Sequence, residues 1–116
     1  MSEFEPLFAE LRALMQTHAA GLVIADDTPG HFVMNNPHPD PAAGRPEWFG
    51  TVAIKKAYVA YHLFPLYTHP MIGEGMSAAL TRRRQGKSCF NFRKPDPALF
   101  AELARLTETA AALVRG

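Results

Sequence analysis

The chain has 116 residues, enough for one domain, and 47% are hydrophobic, so a core can form without disulfides or a structural metal. Its formal net charge is +1, which excludes a global field that draws in nucleic acid or a membrane surface. One cysteine, Cys89, excludes an internal disulfide framework and fits a reducing compartment.

No apolar run approaches the roughly 20 residues of a membrane span. The start, MSEFEPLF, is acidic and lacks the basic, then apolar, character of a signal peptide. A cytoplasmic protein, complete as one domain over residues 1–116, is expected.

Phe4, Leu7, Phe8, Leu11, Leu14 and Met15 recur every three or four residues, which predicts an amphipathic helix of about four turns. Ser2 with Glu5 has capping-box spacing, and Pro6 suits a first turn. Gly21 is a plausible stop. Leu22 to Ala25 and His31 to Asn35 then read as strands of a hairpin, with DDTPG as its turn. The proline-rich stretch NPHPDPAAGRPE reads as an exposed loop, because proline removes amide donors and restricts φ.

Trp48 to Ile54 and Ala57 to Phe64 are rich in β-branched and aromatic residues and predict two more strands around a Lys55-Lys56 turn. On the second of them Tyr58, Ala60, His62 and Phe64 share one face, and Ala57, Val59, Tyr61 and Leu63 the other. A helix over Ser77 to Gln85 follows, with Gly86 at its C-terminal cap. KSCFNF reads as a fifth strand. The last helix opens with Asp96 as N-cap and Pro97 at its first position, and buries Leu99, Leu103, Leu106, Ala110 and Leu113. Together these elements predict an α+β domain of two layers. A five-stranded, mostly antiparallel sheet is covered by the N- and C-terminal helices.

The stretch RRRQGKSCFNF carries three chemical candidates. Its Gly86-Lys87-Ser88 resembles the end of a phosphate loop, but Thr81 stands where the leading glycine belongs. A helix also leads into it where a strand should. Arg82, Arg83 and Arg84 fall in the last turn of the expected helix, where the dipole favours cations and a solvated face is the simplest reading. With Lys87, Arg93 and Lys94 they form an alternative patch for an anion or nucleic acid. Cys89 is expected to be a buried, unreactive thiol; as an alternative nucleophile it needs a base, and His62 is the candidate. The five histidines show no metal-ligand spacing, and no cofactor is expected. His38 with Asp40 is a conceivable weak metal contact, and Asp26-Asp27 is explained by turn chemistry.

DTPGHFVMN, KKAYVAYHLFPLY and GKSCFNFRKPDPALFAELARLT together resemble the domain-of-unknown-function 1801 (YdhG-like) family of small bacterial proteins. The resemblance implies a leading helix, strands, a lysine-led strand, a helix, a short strand and a closing helix. Some members of that family are described as frataxin-like iron chaperones, which use a ridge of Asp and Glu on the first helix and strand. Here the matching positions offer only Glu3, Glu5 and Glu10, followed by Asp26 and Asp27, so iron binding stays an alternative. The resemblance supplies no catalytic residue.

The expected function is non-catalytic binding of a small molecule or a protein partner, a second copy of the chain included. Its expected site is the sheet face or rim carrying Trp48, Tyr58, His62 and Asn91, since aromatic walls with a few polar groups are typical of small-molecule pockets. Anion binding by Arg82, Arg83, Arg84 and Lys87, and catalysis by Cys89 with His62, are the competing readings.

Overall fold

The computed structural model describes residues 4–37 and 48–115. In chain order the elements are α1 (Glu5–His18), β1 (Val23–Thr28), β2 (His31–Asn35), β3 (Trp48–Ile54), β4 (Val59–Leu63) and α2 (Pro65–Thr68). A 3-10 turn (Pro70–Gly73), α3 (Ala78–Arg83), β5 (Arg84–Gln85), β6 (Cys89–Phe92) and α4 (Pro97–Arg115) complete them. The strands form one sheet in the order β1-β2-β3-β4-β6-β5, every neighbouring pair antiparallel. The terminal helices lie on one face of it, so the expected α+β domain is present, with six strands in place of five.

The sixth strand comes from residues expected to be helical. Arg84 and Gln85 pair with Phe90 and Cys89, and Gly86 turns the chain between them at φ +69°. A glycine at positive φ ends a helix or turns a hairpin equally well. Here the adjacent strand offers ladder hydrogen bonds, so α3 stops at Arg83. Its start is the one expected: the Ser77 hydroxyl accepts from the Leu80 amide at 3.1 Å.

Two other boundaries move. β1 runs on through Asp26 and Asp27, which pair with Val33 and Phe32. The turn is only Pro29-Gly30, with Gly30 at φ +77°, as a proline-led type II turn requires. The β3–β4 connection takes residues 55–58, closed by the Lys55 amide donating to the Tyr58 carbonyl at 2.8 Å, which shortens β4 to Val59–Leu63. At the N-terminus α1 has Phe4 as an N-cap without a side-chain bond and Pro6 in its first turn. Ser2, Glu3 and the segment holding His38 and Asp40 lie outside the described residues.

Strand alternation sorts the core. Phe32 and Met34 of β2, Val52 of β3, Val59, Tyr61 and Leu63 of β4, and Phe90 and Phe92 of β6 are buried in one cluster with both helices. α1 contributes Leu7, Phe8, Leu11 and Met15, and α4 contributes Leu99, Phe100, Leu103, Leu106, Ala110 and Ala111. Leu113 was expected in that stripe but is 47% exposed, because the buried face of α4 turns toward Ala110 and Ala111 instead. Gly50 lets α1 approach closely: a Cβ there would lie 2.6 Å from the Met15 methyl and 2.7 Å from the His62 carbonyl oxygen.

A polar contact crosses this apolar layer. The Tyr61 hydroxyl lies 2.6 Å from Thr107 Oγ1, and both residues are fully buried. The Thr107 hydroxyl already donates to the Leu103 carbonyl at 2.9 Å, so Tyr61 donates to Thr107. Burial raises the Tyr61 pKa and keeps the phenol neutral.

Leu103→Ala is expected to destabilise the domain by about 2–5 kcal/mol, the range for emptying a fully buried leucine site. An unchanged denaturant midpoint would show that α4 does not pack this way. Thr107→Val is expected to cost about 1–3 kcal/mol, because it strands the buried Tyr61 donor. Tyr61→Phe, which leaves the Thr107 donor satisfied, should cost less. Chemical denaturation of the two variants gives the order.

Candidate functional site

The face of the sheet opposite the helices carries the residues singled out for chemistry. The β4–β6 register places His62 opposite Cys89 and Ala60 opposite Asn91. Five side chains there are linked in two short chains of hydrogen bonds. Ser88 Oγ lies 2.5 Å from His62 Nε2. The Cys89 thiol donates to Asn91 Oδ1 at 3.5 Å, and Asn91 Nδ2 donates to Gln85 Oε1 at 2.6 Å.

Cys89 and His62 are thus brought side by side, but not as nucleophile and base. The ring nitrogen of His62 faces Ser88, and the thiol faces Asn91. Burial raises the Cys89 pKa, against a smaller opposing effect from the Lys55 charge. Burial also lowers the His62 pKa. Both shifts favour the neutral forms, whereas an activated thiol needs the opposite. Cys89 is partly exposed rather than buried, since its strand lies next to the two-residue edge strand β5 and not deep within the sheet.

The expected binding residues separate into two groups. Trp48, 62% exposed, sits 5.3 Å from the Phe64 ring, which stacks on His62 at 4.1 Å. Tyr58 and Asn91 lie toward the other end of β4, where they line a hollow of about 340 Å³. The rest of its lining is Arg82, Arg83, Arg84, Arg93 and Gln85. Three of the four expected anion-binding residues are therefore here. Lys87 is not: its ammonium stands over the Tyr67 ring, 5.5 Å from the centroid.

Each cation reaches the hollow for a local reason. Arg82 and Arg83 occupy the last turn of α3, at the negative end of its dipole. Arg84 belongs to β5 and is fastened: its Nε and Nη2 donate to the Lys87 carbonyl at 2.8 and 2.5 Å, across the hairpin. Arg93 follows β6 directly, beside Tyr58, which precedes β4. A neighbouring hollow of about 220 Å³ shares Arg83 and Arg93, and adds Phe92, Lys94 and Asp96.

Among the described residues no carboxylate lines the larger of these two hollows. Acids on other parts of the fold have partners of their own. Asp27 pairs with Arg12, Asp26 with His31, and Glu108 with His18. Glu102 accepts from the Ser77 amide and hydroxyl, and Asp96 accepts from the Leu99 amide as the N-cap of α4. Among the described residues no group of three or more His, Cys, Asp or Glu is placed to hold a metal ion, and Asp26 and Asp27 have the partners just named. No helix of the described residues is long and apolar enough to cross a membrane.

Sequence reasoning grouped Arg93 with the other arginines but missed Gln85. The signal was Gly86, which marks a hairpin turn as well as a helix cap. The chain matches no protein-family model, no curated protein and no solved structure.

The His62 ring is expected to titrate below its ordinary 6.5, because burial disfavours its charged form. The unfolded chain then binds more protons just below pH 6.5, so this residue's contribution to stability falls as pH falls through that value. Ring resonances followed by NMR across pH 4 to 8 measure it; a midpoint at or above 6.5 would contradict the burial. Cys89 should alkylate more slowly near neutral pH than a free thiol, since its raised pKa lowers the thiolate fraction.

Proposed function

We propose that this domain binds a small, multiply charged anion, without catalysis, in the hollow walled by Arg82, Arg83, Arg84 and Arg93. The observation that carries the reading is four arginine side chains lining one hollow with no carboxylate of the described residues on its wall. Like charges gathered without counter-charges repel, and a bound anion relieves that repulsion. Guanidinium groups donate in a planar fork that matches phosphate and carboxylate oxygens two at a time. Arg84, held by its hairpin, loses little freedom on binding.

The reading joins two sequence expectations, because Tyr58 and Asn91 share the hollow with the arginines. Cytoplasmic residence is part of it: reducing conditions keep the single cysteine a thiol. Catalysis by Cys89 with His62 has less support, since both groups favour their neutral forms and neither faces the other. Iron binding after the YdhG-like resemblance draws no support from the described acidic residues.

Calorimetric titration with inorganic phosphate and pyrophosphate at low salt tests the proposal. Wild type should bind, with an affinity that weakens as salt rises. Arg82→Gln combined with Arg93→Gln should weaken binding at least about tenfold, the loss of one charge-assisted contact. Stability should change by only about 0.3–1 kcal/mol, what one cation at a helix end contributes. Lys87→Gln should leave binding unchanged, because that ammonium lies over Tyr67. Absence of wild-type binding to either anion overturns the reading.

A further inference from the structure

The hollow holds more than cations need. Its volume is about 340 Å³, within the range of roughly 300–1,000 Å³ occupied by organic ligands. One water's share of liquid volume is about 30 Å³, and an inorganic oxyanion fills only a few such shares. A bare anion on the arginines therefore leaves most of the space, and the Tyr58, Gln85 and Asn91 part of the wall, without a contact.

Those three residues have a defined chemistry. The bond from Asn91 Nδ2 to Gln85 Oε1 uses one donor of the first amide and an acceptor site of the second. What remains is the Gln85 amino group as a donor and the Asn91 carbonyl as an acceptor, the latter taking only a long thiol contact from Cys89. Beside this donor and acceptor stands the partly exposed ring of Tyr58. A donor, an acceptor and an aromatic ring are what a heteroaromatic base needs for edge recognition and stacking.

We propose that the ligand of this hollow is a nucleoside monophosphate, its phosphate on Arg82, Arg83 and Arg93 and its base against Tyr58, Gln85 and Asn91. The proposal rests on the anion reading above and adds the organic half of the ligand. A free nucleotide is favoured over a nucleic-acid chain. The net charge of +1 provides no extended field, and the adjoining hollow carries the Asp96 carboxylate.

The experiment is calorimetric titration of the full chain at low salt. The probes are inorganic phosphate, ribose phosphate, the four common ribonucleoside monophosphates and a short single-stranded DNA. At least one nucleoside monophosphate should bind about five- to a hundredfold tighter than ribose phosphate, the range for stacking one base on an aromatic side chain. Tyr58→Leu should abolish that advantage and leave ribose phosphate unaffected, while Tyr58→Phe, which keeps the ring, should preserve it. Thermal unfolding of both variants establishes that they are folded. Equal affinity for ribose phosphate and every nucleotide overturns this inference and leaves the anion reading standing. So does an advantage that survives Tyr58→Leu. DNA binding tighter than any mononucleotide overturns it in favour of a chain ligand. Failure of every probe overturns both proposals.

Discussion

The pairing of β4 with β6 is the constraint on which the rest depends. It joins segments separated by α2, the 3-10 turn, α3 and β5, with Tyr61 opposite Phe90 and His62 opposite Cys89. Side chains alternate along a strand, so this register sends Val59, Tyr61, Leu63, Phe90 and Phe92 into the core and His62, Cys89 and Asn91 to the opposite face. A slip of one residue would exchange the two sets. It would bury a histidine, a thiol and an amide under the helices and remove Asn91 from the hollow. α4 follows β6 after a short link and lands on the same apolar face, with Phe100 edge-on to Phe92 at 5.0 Å.

The two faces are built on different principles. Under the helices nearly every contact is apolar, and burial supplies the stabilisation, at about 25 cal/mol per Å² removed from water. The polar crossing from Tyr61 to Thr107 ties β4 to α4 with both hydroxyl hydrogens used. The opposite face mixes small and polar groups, among them Ala53, Ala60, Thr51 and the Ser88–His62 contact, with the aromatic stack of Trp48, Phe64 and His62. Such a face tolerates charge at its margin, which is where the arginines stand.

The arginines also show how one short segment serves two ends. Arg82 and Arg83 complement the end of α3. The next residue, Arg84, has left the helix and binds the carbonyl of its own hairpin. The solvated-helix-face reading therefore describes Arg82 and Arg83 locally, while Arg84 and Arg93 convert that face into the wall of a hollow. Net charge gave no hint of this, because it sums charges without regard to where the fold gathers them.

Periodicity in the sequence alone determined α1, α4, β2, β3 and the two faces of β4, because apolar spacing reports directly on which side an element buries. It also determined the Asp96 cap, whose partner lies three residues away along the chain. Tertiary structure decided what local pattern leaves degenerate. Gly86 suits a helix end or a hairpin, and only the presence of β6 selects the hairpin. Asp26 and Asp27 suit a turn, yet ladder bonds to β2, with Arg12 and His31 as partners, hold them in a strand. Leu113 continues an apolar stripe, but the buried face of α4 turns to Ala110 and Ala111 and leaves it exposed. The meeting of Tyr58 and Asn91 with the arginines was decided the same way, since register between distant strands is a property of the pairing and not of either strand by itself.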